Sequence, residues 1–312
     1  MGATESGSGG GPEVTVTLLV TGGSGQLGRD LVTAAVRAGI TRVHAPGSAQ
    51  LDLTDPAAVT DAVAAASAGT RLVVINAAAY TAVDAAQDHG AQRAHAVNAD
   101  GPAHLARACA AHRAHLVQVS TDYVFAGDGA GPHRVGDPTV PRSVYGRTKL
   151  AGEAAVLSSG SAAHVVRTAW LYGAHGGNFV RTMARLAHGC DPVRVVDDQR
   201  GHPTWTADLA SGLIALALAA DRVPPGVLHC VNAGSTTWFG LARAVFTEIG
   251  ADPDRVRPCS TAEFPRPAPR PANAVLDTAG WVAAGLPELR DWRQALRAAV
   301  AEGLLATLTD PS

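Results

Sequence analysis

Residues 14–28 read VTVTLLVTGGSGQLG, and a helical pattern continues from there to Ala38. The β-branched and apolar half predicts a buried strand, and the glycines that follow at GxxGxxG spacing predict a tight turn that opens a helix. Gly22 suits the turn itself, Gly25 lets the backbone approach a diphosphate, and Gly28 permits close packing of helix on strand. This succession of strand, glycine turn and helix is typical of a dinucleotide-binding unit.

Further strands alternate with helices along the first half of the chain. Strands are predicted at 42–45, 71–75, 116–119 and 163–167, with a helix over 92–111. This alternation predicts an α/β fold, a Rossmann-type doubly wound parallel sheet with a smaller C-terminal α/β substrate-binding domain. The predicted division is a flexible tail over 1–13, a dinucleotide-binding domain over 14–169 to which 192–222 returns, and a substrate-binding domain over 170–191 and 223–312.

A single lysine stands among the 25 Lys and Arg residues, and this residue, Lys149, lies four positions after Tyr145. A helix over 143–158 places both side chains on one face. A nearby ammonium favours phenolate, so the pair predicts a tyrosine whose pKa is lowered toward neutral and which acts as a general acid for a carbonyl. The alternative is a surface helix whose Tyr and Lys are unrelated, and the spacing alone does not decide between the two.

Two polar clusters stand where strands of a parallel sheet end, which is the edge where such sheets bind ligands. Residues 76–84 read NAAAYTAVD, whose small side chains suit a flat cofactor ring, and residues 120–125 read STDYVF, which places a hydroxyl near Tyr145. Either cluster also fits an ordinary turn. The strand over 42–45 ends without an Asp or Glu for a ribose hydroxyl, so the choice between NAD and NADP stays open.

Composition argues against several classes of function. The net charge is −2 and no basic cluster occurs, which argues against a nucleic-acid partner. The longest apolar runs, such as 213–220, are too short for a membrane span. The four cysteines have no CxxC or metal-finger spacing, so we expect reduced thiols, a cytoplasmic protein and no metal site. His112 and His115 lack the further ligands that a metal needs.

Pro and Gly segments interrupt the second half of the chain. Asn178 is predicted to open a helix, 195–204 to form a polar loop, and 206–220 to form another helix. Residues 264–271 read FPRPAPRP and suit a rigid rim whose arginines clamp a phosphate, with a solvated loop as the alternative.

Several of these motifs together resemble the dTDP-4-dehydrorhamnose reductases, a branch of the extended short-chain dehydrogenases/reductases. The resemblance covers the chain from about residue 16 to 300 and rests on NAAAYTAVD, STDYVF and DDQRGHPT (197–204) more than on the glycines. The other matching segments are TGGSGQLG (21–28), VNADGPAHLA (97–106), VYGRTKLAGE (144–153), RTAWLYG (167–173), NF (178–179) and RPANAVLD (270–277).

The resemblance implies reduction of the C4 ketone of a dTDP-4-keto-6-deoxyhexose by the hydride of NADPH, or else of NADH. It makes Tyr145 the proton donor, Lys149 the ammonium that lowers the phenol pKa and bonds the nicotinamide ribose, and Thr121 the hydroxyl that steadies the carbonyl oxygen. It implies that the cofactor is bound by Gly22, Gly25, Gln26, Leu27, Gly28, Asp52, Leu53, Ala77, Ala78, Tyr80, Asn98, Ser120, Tyr145 and Lys149. It implies that the substrate is bound by Val83, Asp84, Thr121, Asp122, Tyr145, Trp170, Asn178, Gln199 and Arg270.

Within those sets, the resemblance makes Asn98 a support for the lysine and Trp170 a contact of the sugar. Ala274 stands where a hydroxyl is usual, which puts one contact to the sugar nucleotide in doubt, and Thr148 replaces a common Ser without an expected effect. Asp30 matches one carboxylate of an Mg²⁺-binding dimer contact in some relatives. The other carboxylates are not found, so Mg²⁺ and the choice between monomer and homodimer stay open.

Two functional questions remain at this stage. The preference for Arg over Lys indicates a GC-rich bacterial genome, in which a 4-ketoreductase of antibiotic sugar synthesis is nearly as expected as the enzyme that makes dTDP-L-rhamnose. The motifs do not determine which keto sugar is reduced or the C4 stereochemistry of the product. A second hypothesis is a non-catalytic NADP-binding regulatory subunit of the methionine adenosyltransferase type, against which intact Thr121, Tyr145 and Lys149 argue.

Overall fold

The computed structural model describes residues 16–305, and the tail predicted over 1–13 lies outside them. The strands are β1 (Val16–Thr21), β2 (Arg42–His44), β3 (Arg71–Asn76), β4 (His115–Thr121), β5 (Ala163–Thr168), β6 (Leu171–Tyr172), β7 (Val193–Val196), β8 (Arg200–Gly201), β9 (Thr204–Trp205), β10 (Gly226–His229), β11 (Thr236–Thr237) and β12 (Val256–Cys259). The α-helices are α1 (Gln26–Arg37), α2 (Pro56–Ser67), α3 (Val83–Gln87), α4 (Ala91–His95), α5 (Gly101–His112), α6 (Val144–Leu157), α7 (Phe179–Ala187), α8 (Thr206–Ala219), α9 (Trp238–Glu248), α10 (Ala279–Ala283) and α11 (Trp292–Ala301).

A six-stranded parallel sheet in the order β10-β5-β4-β3-β1-β2 forms the centre of the fold. Helices α1 and α8 pack together over one face, and α2 and α5 over the other. Because both faces are covered, the inner strands are buried along nearly their whole length, which explains why they read as continuous apolar runs. The predicted doubly wound α/β class is confirmed.

The helix predicted over 92–111 differs in the middle from the regular helix that we expected. It consists of α4, a π-helical turn at Ala96–Asp100 and α5. Pro102 has no N–H to donate to the carbonyl of Asn98, so the regular helical ladder is interrupted at this point.

The second part of the chain contains three short strand pairs, β6 with β9, β7 with β12, and β8 with β11. The predicted polar loop over 195–204 is therefore wrong in part, because strand pairing with distant segments orders it. Helices α7, α9 and α11 pack into a separate apolar cluster beside these strands. None of the helices within 16–305 is long and apolar enough to span a membrane.

The predicted division into two domains stays a prediction, but one pairing departs from its boundaries. Strand β10 pairs with β5 in the central sheet, with Val227 opposite Val165, although 223–312 was predicted to belong to the smaller domain. A strand of four residues is too short to show a pattern of its own. Helix α8 lies in the segment 192–222 that was predicted to return to the dinucleotide-binding domain, and it packs against α1 of that domain. Strand β7 lies in the same segment but pairs with β12, in the segment predicted to form the smaller domain.

Candidate functional site

The turn after β1 meets the turn after β3 at one end of the sheet. Gly22 has a φ of +73°, and a Cβ at this position would lie 2.8 Å from the backbone of Ala78, so a larger residue would force the two turns apart. Gly25 caps α1, and its N–H donates to the carbonyl of Gly22 at 3.0 Å. The first turn of α1 carries no acidic side chain, so its N–H groups suit the diphosphate of a dinucleotide.

The remaining residues of that turn and the residues predicted to approach the adenine are fixed by local contacts. Gly28 and Leu27 are buried in the first turns of α1. Asp52 accepts hydrogen bonds from the backbone and hydroxyl of Thr54, which lower its pKa. Leu53 is buried, and its carbonyl bonds His104 Nδ1 at 2.9 Å. The roles of these residues toward a cofactor remain predictions.

Asn98 joins the loop after β3 to α6. Its Oδ1 accepts from the N–H of Tyr80 at 2.8 Å, and its Nδ2 donates to the Tyr80 carbonyl and to Thr148 Oγ1, both at 3.1 Å. Asn98 thus contacts α6 at the residue before Lys149, whose own Nζ donates to the carbonyl of Val119, and its support of the lysine remains a prediction. Thr148 keeps the hydroxyl of the usual Ser and also donates to the Tyr145 carbonyl at 2.9 Å.

Tyr145 lies at the start of α6, against the turn that follows β4. Ser143 caps the helix by accepting from the N–H of Gly146, and a Cβ on Gly146 would lie 2.3 Å from the carbonyl of Tyr123. Glycine at 146 therefore lets α6 approach this turn. The rings of Tyr123 and Tyr145 meet edge to face with centroids 5.5 Å apart, and the Thr121 hydroxyl donates to Asp122 Oδ1 at 2.8 Å in the same turn.

The electrostatics of Tyr145 correct the predicted pKa. Burial raises the pKa of the phenol well above its usual range, the nearby Asp122 carboxylate raises it further, and the hydrogen bond with Thr121 lowers it. Lys149 is not among the groups that act on this pKa, and its ammonium is hydrogen-bonded to the carbonyl of Val119. A phenol of this kind keeps its proton at neutral pH, which suits a proton donor.

Lys149 is buried one turn further along α6. Its side chain is 4% exposed, and its Nζ donates to the Val119 carbonyl at 2.7 Å. Burial lowers the pKa of Lys149 to about 8, and the carboxylate of Glu153 opposes this effect. The ammonium is thus held at the sheet edge where Thr121 also stands.

A buried ion pair behind the lysine was missed from the sequence. Glu153 accepts two charge-assisted hydrogen bonds from Arg167, the shorter at 2.7 Å, and the two side chains are 2% and 5% exposed. Ser120, a predicted cofactor residue, donates its hydroxyl to the same carboxylate. The signal available in the sequence was the spacing, because Glu153 follows Lys149 by one helical turn and Arg167 lies in the strand that pairs with β4.

A cavity of about 800 Å³ is lined in part by Tyr123. Its wall combines aromatic rings with four arginines and two aspartates, so it suits a ligand with a ring and an anionic group. The lining residues are Asp84, Tyr123, Phe179, Thr182, Met183, Arg185, Leu186, Gly189, Asp191, Pro192, Val193, Arg194, Val195, Val196, Gln199, Trp238, Phe264, Arg266 and Arg270.

The loop over 264–271 forms one edge of this cavity. Arg270 pairs with Asp84 at 3.0 Å, and Arg266 lies 3.9 Å from the same carboxylate while stacking over the ring of Phe264. The backbone N–H of Ala268 also donates to Asp84. The structure therefore favours the predicted rim over a loop without contacts.

The cavity brings together some of the predicted substrate residues. Asp84, Gln199 and Arg270 line it, and Gln199 donates to Thr261 Oγ1 at 2.9 Å. Thr121, Asp122 and Tyr145 lie behind Tyr123, and Val83 begins α3 beside Asp84. Asn178 caps α7, and its amide donates to Gln26 Oε1 and to the Gly173 carbonyl. It therefore joins the start of α7 to the start of α1, directly after the glycine turn.

Trp170 stacks on a second tryptophan, and its contact with the sugar remains a prediction. Its ring stacks on Trp238 with centroids 3.6 Å apart, and Trp238 rather than Trp170 lines the cavity. Trp170 has a φ of +46°, and Gly201 packs directly against its indole, so the ring is held from both sides. Sequence reasoning missed Trp238 because the two indoles meet only in the folded chain.

The positions that depart from the family pattern lie away from the cavity lining. Ala274 is 1% exposed, and its N–H donates to the Arg200 carbonyl at 2.7 Å. Burial raises the pKa of Asp30, with an opposing hydrogen bond from Thr206. Within residues 16–305 no group of three or more His, Cys, Asp or Glu side chains is arranged to hold a metal.

Known proteins resemble this chain in sequence and in structure. Residues 16–304 match the family model described as the RmlD substrate binding domain. A dTDP-4-dehydrorhamnose reductase of Streptomyces griseus is 54% identical over 281 residues, 89% of this chain and 91% of the relative. A probable dTDP-4,6-dihydroxy-2-methyloxan-3-one 4-ketoreductase of Streptomyces antibioticus is 50% identical over 92% of this chain and 96% of its own. A crystal structure of dTDP-4-dehydrorhamnose reductase from Bacillus anthracis in complex with NADP has a TM-score of 0.86 and 32% identity, and covers 92% of this chain and 99% of that chain.

Proposed function

The chain belongs to the dTDP-4-dehydrorhamnose reductase family, and from this premise we propose that it reduces the C4 ketone of a dTDP-4-keto-6-deoxy sugar with NADPH. The observation that carries the proposal is the edge-to-face contact of the Tyr145 ring with Tyr123, which lines a cavity that has four arginines in its wall. The product is dTDP-L-rhamnose or a closely related sugar of antibiotic synthesis, since relatives named for both kinds of reaction are at least 50% identical to it.

NADPH, when bound, supplies the hydride for the ketone carbon. The glycine turn at Gly22–Gly28 would hold its diphosphate, and the fit is supported by the close approach of Gly22 to Ala78. Lys149 would present a point charge to the nicotinamide ribose from a position fixed by Val119.

The chain's own residues supply the proton and its position. As the ketone is reduced, negative charge develops on its oxygen, and a phenol and a hydroxyl placed beside that oxygen would stabilise the transition state more than the ground state. Tyr145 has a raised pKa, so it carries the proton at neutral pH and releases it to the new alkoxide. Thr121 would supply the hydroxyl, from a position fixed by its bond to Asp122.

The cavity beyond Tyr123 would hold the nucleotide part of the substrate. Arginines at 185, 194, 266 and 270 outnumber Asp84 and Asp191 in its wall, which favours a diphosphate. The rings of Phe179 and Trp238 lie in the same wall with centroids 4.6 Å apart and an angle of 54° between their planes, and a base could pack against their apolar faces.

A direct assay tests the proposed function. Purified enzyme mixed with NADPH and a dTDP-4-keto-6-deoxy sugar should lower the absorbance of the reduced nicotinamide, and omission of the sugar should abolish the change. Tyr145→Phe should slow the reaction by about 10² or more, because the phenol proton is lost while the ring remains. A wild-type protein that leaves the absorbance unchanged with every such sugar would contradict the proposal.

The same assay addresses the regulatory-subunit hypothesis. Such a protein binds NADP without turnover, and the relatives that match this chain over most of its length carry reductase names, so this alternative is not favoured. A place in the cytosol and a monomeric or dimeric state are further parts of the proposal, which cell fractionation and sedimentation would check.

A further inference from the structure

Asp122 stands next to the proposed acid, at the start of the short helical turn Asp122–Val124. The residue is 2% exposed, and its Oδ1 accepts the hydroxyl proton of Thr121 at 2.8 Å. The Thr121 side chain and the Asp122 carboxylate both act on the pKa of the Tyr145 phenol, so the three side chains lie close together, with the Thr121 hydroxyl donating to Asp122.

The second carboxyl oxygen of Asp122 is buried and, among residues 16–305, has no hydrogen-bond partner. An ionised carboxylate with one bare oxygen is costly in such surroundings, whereas a protonated carboxyl is not. Burial accordingly raises the pKa of Asp122 to about 7, against the lowering effect of the Thr121 hydroxyl and nearby backbone N–H groups.

The titratable groups around Asp122 are few. Tyr123 follows it in the same turn and Tyr145 faces it from α6, and the pKa of both phenols is raised by burial. Arg270 and Asp84 act on the Tyr123 phenol from the rim and the loop after β3, with opposite signs. None of these groups offers Asp122 a cation at hydrogen-bond distance within the part of the chain that the structure describes.

We propose that Asp122 acts through Thr121 as a positioning residue and proton source, returning a proton to the Tyr145 phenol after each turnover. This inference rests on the proposed function. When Tyr145 has given its proton to the sugar alkoxide, the Thr121 hydroxyl turns and gives its proton to the phenolate oxygen. The Asp122 carboxyl, whose Oδ1 had accepted from Thr121, turns its O–H toward the Thr121 oxygen and gives that oxygen its proton. The resulting carboxylate is reprotonated from solvent, so that one proton enters for each alcohol formed.

The test separates the first turnover from the later ones. In Asp122→Asn the amide oxygen still accepts from Thr121, but the side chain has no acidic proton to pass on. Since Tyr145 begins protonated, stopped-flow absorbance of this variant should show a steady-state rate lower than its own first-turnover rate by a factor roughly tenfold or more larger than in the wild type. Asp61→Asn, an exposed position on α2, is the matched control and should leave both phases unchanged.

A second readout needs no turnover. The ¹³C signal of the Asp122 carboxyl, assigned by its loss in Asp122→Asn, should titrate near pH 7 in the wild-type protein. The inference is overturned if the variant keeps the wild-type steady-state rate, if its first turnover slows as much as its later ones, or if the signal titrates in the ordinary range of an Asp. If the wild-type enzyme reduces the sugar, each of these results refutes only the role of Asp122. If the wild-type enzyme is inactive, the proposed function itself is refuted.

Discussion

Tyr123 separates two regions that hold their side chains in different ways. On the sheet side, Thr121, Lys149 and Glu153 are 6%, 4% and 2% exposed. Thr121 is hydrogen-bonded to the turn that follows β4, Lys149 to β4 and Glu153 to β5. On the cavity side, Phe264 is 46% exposed and the side chain of Arg266 is 54% exposed, on a loop without regular structure. The proposed reaction chemistry therefore belongs to the core of the fold, and the proposed nucleotide contacts belong to the more exposed wall.

Glu153→Gln should have the largest effect, because it lies in the buried region. The change leaves the charge of Arg167 without its partner at a site that is 5% exposed, so we expect a loss of about 3–5 kcal/mol in the free energy of unfolding. Urea denaturation measures this loss. Asp128→Asn breaks the exposed pair with Arg142 and should change the same free energy by about 0–1 kcal/mol. Equal effects of the two variants would remove the contrast between buried and exposed regions.

Lys149→Arg should lower kcat by about 10², although the positive charge is kept. The buried ammonium fits a single carbonyl at 2.7 Å, and the wider guanidinium cannot occupy that place without displacing α6 or β4. Steady-state kinetics measure the effect, and far-UV circular dichroism checks that the variant is folded. A variant with wild-type kcat would mean that the geometry of the buried region is less strict than we infer.

Arg270→Ala tests the cavity region and should mainly raise the KM of the sugar nucleotide, by about tenfold, with little change in kcat. The residue pairs with Asp84 and lines the cavity, so its loss removes a charge-assisted contact to a diphosphate. Arg257→Ala, an exposed position on β12 outside the cavity lining, is the matched control. A fall in kcat with an unchanged KM would place Arg270 in the chemistry instead.

The smallest expected effect is a pH dependence of NADPH binding. The pKa of Lys149 is lowered to about 8. The side chain is therefore positively charged below pH 8 and loses this charge as the pH rises above 8. The Kd of NADPH, measured by fluorescence titration, should therefore be constant near pH 7 and rise by several-fold between about pH 8 and 9. A Kd that stays constant up to pH 9 would show that the ammonium does not contact the cofactor.

The sequence predicted the parts of the fold that depend on local pattern. The strand and turn at 16–28, the helix that carries Tyr145 and the parallel sheet agree with the structure, because each follows from continuous apolar runs, glycines and caps. The resemblance to the reductase family is likewise confirmed by the comparisons. The pairing of β7 with β12, about 60 residues apart, had no local signal.

The site was less accessible to sequence reasoning, since its properties depend on burial. The spacing of Tyr145 and Lys149 predicted their common helix, but the direction of the Tyr145 pKa depends on Asp122 and on desolvation, which no spacing reveals. Trp238 is 68 positions from the indole on which it stacks, so its place in the cavity could not be read from either motif.

The central claim is that the ketone at C4 of the sugar is reduced in the cleft beside Tyr145. The most direct measurement uses NADPH deuterated at the transferred position with a dTDP-4-keto-6-deoxy sugar, and NMR of the isolated product. We predict that the product carries deuterium at C4 of the sugar in a single configuration. Tyr145→Phe should form almost none of this product over the same time. Deuterium at another carbon, or none in the sugar while NADPH is consumed, would contradict this account.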